Sequence, residues 1–161
     1  MRSFHHRGMT LVELLVVIAI ISILAGAAMP LSRMTVKRVK EIELRSNLRM
    51  LRNTIDAFKR DCFERKLSVD YCKSDQDFYP ESLEQLTQPL KLARAVDKTK
   101  KYLRRIPQDP MMPPDQFGKS NWGLRSYTDL PDSTQWGGGN VFDVYSKSDA
   151  IALDGSKYST W

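Results

Sequence analysis

The chain has 161 residues, 42% of them apolar, and a formal net charge of +6. The apolar residues are concentrated in the first 30 positions. The polar remainder has room for one modest domain. Length and composition therefore exclude a protein of several large domains.

A short basic head precedes a long apolar segment. The head ends at Gly8 and carries the cationic or titratable residues Arg2, His5, His6 and Arg7. At about 1.5 Å per residue, a helix from Leu11 to Met29 can cross a hydrocarbon layer of roughly 30 Å. Glu13 is the only ionisable residue in this helix, and a carboxylate near a bilayer centre costs on the order of 2.5 to 3.5 kcal/mol. Glu13 therefore needs a partner.

Three interpretations of this start differ in where the chain is cut. A secretory signal would be cleaved after its apolar part, near Ala25-Gly26-Ala27, whereas a plain single-pass anchor would stay intact. Cleavage after Gly8 would keep the helix and create an α-amino group at Met9, with a reference pKa of about 8 and a largely cationic form. Glu13 lies one helical turn further on, so it can meet this amine in its own chain or in a neighbouring copy.

The start of the chain resembles the leader and N-terminal helix of type IV pilins and their relatives. The resemblance rests on Gly8-Met9-Thr10-Leu11-Val12-Glu13, on the unbroken apolar helix and on Pro30. It implies that a prepilin peptidase cuts after Gly8 and methylates Met9, where relatives usually have phenylalanine. It also implies that Glu13 helps subunits to enter a helical filament. Residues 1–8 would then be the leader, and residues 9–30 the transmembrane and assembly helix.

The helical pattern continues beyond Pro30 as an amphipathic segment over residues 31–62. One apolar stripe recurs every three or four positions, at Leu44, Leu48, Leu51, Ile55, Phe58 and Cys62. The other face is basic, with Arg33, Lys37, Arg38, Lys40, Arg45, Arg49, Arg52, Lys59 and Arg60. We interpret this face as a solvated surface that pairs with neighbouring subunits or lies over anionic lipid headgroups. A nucleic-acid track would need interleaved aromatic residues, and residues 32–57 contain none.

The two cysteines, Cys62 and Cys72, lie at the end of this helix and shortly after it. An even count in a small translocated domain favours a disulfide, which would contribute very roughly 2 to 3 kcal/mol. Free thiols and a metal pair are the alternatives, although no nearby histidine or third cysteine completes a ligand set.

Short elements are predicted in the globular part, residues 63–161. A short helix opens at Tyr79, and residues 91–105 are expected to be helical or irregular. Strands are predicted at residues 122–127 and 140–146. Three short strands would form a small antiparallel sheet against the helix stripe. The predicted fold is therefore α+β: a long N-terminal helix, its first half membrane-spanning, packed on a small antiparallel β-sheet domain.

The C-terminal part resembles the major pseudopilins of type II secretion, the general secretion pathway G proteins. The resemblance rests on residues 102–110 and 141–146, and it departs at Met111, where relatives usually have an aromatic residue. It implies a calcium site in the last loop, with oxygen ligands from Ser146, Ser148, Asp149 and Asp154. The apolar residues at 150–153 are unlike those relatives. A polar loop that caps the sheet is the alternative.

No constellation of catalytic residues is present in the expected mature chain. His5 and His6 are the only histidines and lie in the leader, so a Ser-His or Cys-His arrangement is excluded. Glu13 has no second acid for paired acid/base chemistry. We therefore predict a structural protein and no enzyme.

The resemblance implies a subunit of a type II secretion pseudopilus, anchored in the bacterial inner membrane with its C-terminal domain in the periplasm. Its expected partners are copies of itself, the prepilin peptidase, minor pseudopilins and an inner-membrane assembly platform; nucleic acid is not expected. A type IV pilus pilin for adhesion, motility or DNA uptake is the first alternative, kept open by the cysteines. A monomeric membrane-anchored binding protein is the second.

Overall fold

A computed structural model describes residues 9–115 and 121–161, leaving aside the side chains of residues 27–32, 76 and 95–97. One long helix, α1, begins the described part and spans Leu11–Phe63. Four strands follow: β1 at Leu90–Leu92, β2 at Ala95–Lys100, β3 at Trp122–Arg125 and β4 at Asp143–Ser146. Short 3₁₀ turns lie at Val69–Tyr71, Ser74–Gln76, Glu84–Thr87 and Tyr158–Thr160. The fold is α+β, as predicted.

The chain divides into two compact units, Met1–Val39 and Lys40–Trp161. The backbone of α1 remains helical through Pro30. The second unit contains the C-terminal part of α1 and all four strands.

The end of α1 is closed by backbone hydrogen bonds around a left-handed residue. Arg65 has a φ of 54° and donates its N–H to the carbonyl of Cys62. The N–H of Lys66 reaches back to the carbonyl of Asp61. These two bonds form a Schellman motif, in which glycine is the usual left-handed residue because it has no Cβ. Arginine therefore occupies a position that strains its backbone.

The predicted apolar stripe of α1 forms the centre of the core, which confirms the helical periodicity. All six of its side chains are at most 3% exposed: Leu44, Leu48, Leu51, Ile55, Phe58 and Cys62. Apolar side chains from the strands and turns pack in the same cluster, including Leu86, Trp122, Val141, Val144 and Tyr158. The stripe thus supplies the surface on which the rest of this unit folds.

The strands of the described residues form two separate two-stranded antiparallel sheets rather than a single three-stranded sheet. In one sheet β1 pairs with β2, so the prediction of helix or irregular chain was wrong for residues 91–92 and 95–100, whereas residues 101–105 are irregular as predicted. The apolar side chain of Leu90 is buried, and the carbonyl of Lys91 accepts a hydrogen bond from the Ser68 N–H. These tertiary contacts determine the structure of a segment whose local pattern is weak.

The second sheet pairs β3 with β4, with Trp122 opposite Ser146 and Arg125 opposite Asp143. Both strands are shorter than predicted, because the chain turns away at Ser126. The carboxylate of Asp129 accepts hydrogen bonds from the N–H groups of Ser126 and Gly137, at 2.7 and 3.0 Å. The short helix predicted at Tyr79 is reduced to the 3₁₀ turn at Glu84–Thr87.

The aromatic ring of Tyr145 in β4 packs directly over Gly123 in β3. A Cβ atom added at Gly123 would lie 2.2 Å from the Tyr145 ring. The same ring covers the guanidinium of Arg125 at 4.1 Å, and its hydroxyl donates to the carbonyl of Thr134. Glycine is therefore required by the close approach of the ring.

Candidate functional site

The start of α1 is capped by Thr10. Its Oγ1 accepts a hydrogen bond from the Glu13 N–H at 3.2 Å, and its carbonyl accepts one from the Leu14 N–H at 3.1 Å. Thr10 is thus the N-cap residue, and Glu13 occupies the third helical position. This role of Thr10 was not predicted, although a threonine followed three positions later by a glutamate is a known start signal for helices.

The cap determines where the Glu13 carboxylate lies. Glu13 is exposed and belongs to the first turn of α1, where the partial positive charge of the helix N-terminus favours an anion. Met9 lies four residues earlier and is 61% exposed. Met9, a predicted processing residue, and Glu13, the predicted assembly residue, therefore lie four residues apart, and both are exposed where the helix begins. Gly8, the predicted cleavage position, lies outside the described residues.

The apolar residues after Glu13 are uncovered in the single chain. Every side chain from Met9 to Gly26 is exposed, and the large apolar ones range from 39% at Val17 to 74% at Leu11 and Ile23. Ser22 satisfies its hydroxyl by donating to the Ile18 carbonyl, as serine commonly does within helices. Apolar surface of this extent marks a contact with protein or lipid. No helix in residues 9–115 and 121–161, as far as they are described, combines the length and apolarity required to cross a membrane.

The structure contains the disulfide between Cys62 and Cys72 that the sequence favoured, with Cα atoms 5.4 Å apart. It links the last turn of α1 to the residue after the first 3₁₀ turn. Free thiols and a metal pair are thereby excluded for these cysteines.

A buried carboxylate, Asp61, lies beside the disulfide. Lys100 and Tyr102 both donate to its Oδ2, and the ammonium of Lys66 is 3.8 Å from Oδ1. Burial alone would raise the pKa of Asp61, but the hydrogen bonds and the charge of Lys100 outweigh burial and lower the pKa below its ordinary value. Burial and the Asp61 carboxylate raise the pKa of Tyr102. This cluster joins the end of α1 to β2.

Three of the four predicted calcium ligands, Ser146, Ser148 and Asp154, already have other hydrogen-bond or ion-pair partners. Ser146 Oγ accepts the Ser148 N–H, and Ser148 Oγ accepts the Ala150 N–H. Asp154 bonds to Ser156 through Oδ1 and to Arg45 through Oδ2. Asp149 is exposed. Among the described residues, no three acidic, histidine or cysteine side chains converge as a metal-binding group.

Several polar residues that position the last loop were missed by the sequence analysis. Arg45 and Arg52 were assigned to a solvated face, but they bind Asp154 and Asp143. Glu41 is 8% exposed and accepts two hydrogen bonds from the C-terminal segment. A charged residue next to an apolar stripe is only a weak sequence indication of a buried hydrogen bond or ion pair, because its partner lies about a hundred residues away in the sequence.

Comparison with known proteins supports the pilin-like interpretation of the start of the chain. Residues 3–29 match the family described as the prokaryotic N-terminal methylation motif, and this range includes Gly8, Met9 and Glu13. No curated protein and no solved structure matches the chain. The matched motif is the signal of structural, pilin-type proteins rather than of an enzyme family. It indicates processing by a prepilin peptidase and assembly into pilus-like polymers. The chain therefore carries the N-terminal signal of type IV pilin-like proteins.

Proposed function

We propose that the protein is a structural subunit of a type II secretion pseudopilus, which assembles through its N-terminal helix into a periplasmic filament that helps to export folded proteins. The observation that carries this proposal is the exposed carboxylate of Glu13 in the first part of α1, residues 11–26, where every residue is exposed and all others except Ser22 are apolar. After cleavage behind Gly8, the amine of Met9 in one copy can neutralise Glu13 in the next. Such pairing would fix the axial register of identical helices.

The proposed location follows from the same surface. An exposed apolar helix in water would aggregate, and lipid or neighbouring helices can cover it before and after assembly. We therefore propose that the subunit is anchored in the inner membrane before assembly, with the unit Lys40–Trp161 in the periplasm. The disulfide supports this location, because disulfides persist in oxidising compartments such as the periplasm.

A pilus subunit remains the second candidate function, and the Cys62–Cys72 disulfide favours it. The resemblance to G-type pseudopilins does not include these cysteines. Deletion of the gene distinguishes the secretion pseudopilus from the type IV pilus. If the deletion strain no longer secretes its enzymes but keeps normal surface fibres, the pseudopilus is supported. Loss of fibres, adhesion or twitching with normal secretion supports the pilus.

The test of assembly compares Glu13→Ala with Glu43→Ala, a matched control on the exposed surface of the same helix. We expect Glu13→Ala to remain in the membrane fraction and to lose sedimentable filaments and intersubunit cross-links. Glu43→Ala should form filaments at the wild-type level. Filaments that persist in Glu13→Ala would contradict the proposal, and unchanged function without any polymer would favour the monomeric anchored binder.

A further inference from the structure

The last loop of the chain is attached to α1 by two side chains one turn apart, Glu41 and Arg45. Oε1 of Glu41 accepts hydrogen bonds from the Leu153 N–H and from the Tyr158 hydroxyl, both at 2.8 Å. Glu41 and Tyr158 are 8% and 1% exposed. This buried carboxylate thus holds both sides of the loop that contains Asp154.

Arg45 provides the positive charge at the same loop. Its Nη2 lies 3.0 Å from Oδ2 of Asp154, and its guanidinium covers the Trp161 ring at 4.0 Å. Guanidinium groups both pair with carboxylates and stack on aromatic faces. A calcium ion at Asp154 would have to displace Arg45 or lie close to its charge.

Internal donors complete the loop. Oδ1 of Asp154 accepts the N–H of Ser156 at 2.9 Å and its hydroxyl at 2.6 Å. The Ser156 hydroxyl oxygen in turn accepts the indole N–H of Trp161 at 2.7 Å. The Ala152 N–H donates to the Ser156 carbonyl. Each of these bonds orders the loop without any external group.

We propose that this loop is a metal-independent version of the loop in which the resemblance places calcium, with Arg45 in the role of the cation and Glu41 as the anchor. Calcium prefers six to eight oxygen ligands, and a positive charge close to the site repels the ion. The donor chemistry here is different: one carboxylate is paired with a guanidinium, and two serine oxygens accept backbone N–H groups. The proposal concerns the fold of the unit and holds whether or not the chain polymerises.

The direct test measures calcium binding to the full-length chain in detergent. The melting temperature should differ by less than about 1 °C between chelator and millimolar calcium, because a ligand stabilises a protein only if it binds the native state. Calorimetric titration should show no saturable binding. A calcium-dependent rise of several degrees that Asp154→Ala abolishes would overturn the proposal.

A second set of variants tests the anchor itself. Glu41→Ala leaves the Leu153 N–H and the Tyr158 hydroxyl without their acceptor, so its melting temperature should fall by several degrees, equally with chelator and with calcium. Glu41→Gln keeps a carbonyl oxygen and should restore most of the loss. Arg45→Gln should lower the melting temperature more than Arg49→Gln, an exposed control one turn further along α1. Unchanged melting of Glu41→Ala and Arg45→Gln would also overturn the proposal.

Discussion

Arg52 of α1 donates its Nε–H to Oδ1 of Asp143 in β4, with 2.6 Å between the two atoms. The other oxygen of Asp143 accepts from Nη1 of Arg125 in β3 at 3.3 Å. One carboxylate therefore lies between two guanidinium groups and connects the long helix to the second sheet. Arg125 is 6% exposed, so the ion pair with Asp143 compensates a charge that is largely removed from water.

Replacing Asp143 with alanine should destabilise the unit strongly. The change removes the carboxylate that forms an ion pair with the buried guanidinium of Arg125, and a buried ion that loses its partner costs about 3 kcal/mol or more. Denaturation in urea should show a lower midpoint. Asp132→Ala, at an exposed position, serves as the control and should change the free energy of unfolding by less than about 0.5 kcal/mol. Equal midpoints for the two variants would contradict the role of Asp143.

Stability should fall in acid because of Asp61. Its pKa is lower in the folded chain than in the unfolded chain, so its contribution is fully present above the unfolded value of about 3.9. The contribution is lost as the pH falls through the folded value. Asp61→Asn should flatten this part of the stability profile, measured by urea denaturation at a series of pH values. Asp56→Asn, on the exposed surface of α1, should leave the profile unchanged, and an unchanged profile in Asp61→Asn would refute the assignment.

Loss of the Cys62–Cys72 disulfide should lower the free energy of unfolding by about 2 to 3 kcal/mol, because the bridge restricts a short loop in the unfolded chain. The double variant Cys62→Ser with Cys72→Ser tests this in the absence of reductant. Adding reductant should destabilise the wild type and leave the double variant unaffected. A reductant effect of the same size on both would show that the bridge is not its cause.

Glycine at position 65 should stabilise the protein. Arg65 has a φ of 54°, and the cost of a left-handed side chain exceeds the extra backbone entropy of glycine, leaving a gain of about 0.5 to 1 kcal/mol. Arg65→Gly should therefore unfold at a higher urea concentration. Arg65→Ala retains a Cβ and should remain near the wild type, which separates the backbone effect from the loss of charge.

Processing can be read directly from the mass of the protein isolated from its host. Cleavage after Gly8 followed by methylation predicts a chain that starts at Met9 and carries one additional methyl group. Intact-mass measurement and sequencing of the first peptide check both steps. A protein that retains Met1 to Gly8 would contradict the processing prediction.

The parts of the fold that follow from local periodicity were predictable from the sequence. The stripe from Leu44 to Cys62 places one apolar side chain on the same face at every turn, and the structure buries all of it. Strands were predicted at residues 122–127 and 140–146, the second from its alternating character, and the structure has strands at residues 122–125 and 143–146.

The remaining features depend on contacts between distant residues. The β1–β2 hairpin forms where the side chain of Leu90 packs into the core, and no local sequence pattern predicts a strand at that position. Likewise, Arg45 and Arg52 look like solvated cations until Asp154 and Asp143 are brought to them. Thr10 is different, because its capping pattern was visible and was not used. The candidate site at Met9 and Glu13 came from a motif rather than from packing.

The absence of a side chain at Gly123 has a mechanical consequence for the surface around residues 126–140. The ring of Tyr145 can lie over β3 only because Gly123 has no side chain. In this position its hydroxyl donates a hydrogen bond to the carbonyl of Thr134. A single added methyl group would lift the ring, break this hydrogen bond and uncover Arg125. The missing side chain at Gly123 thus permits a hydrogen bond to Thr134, in a loop that begins only three residues later.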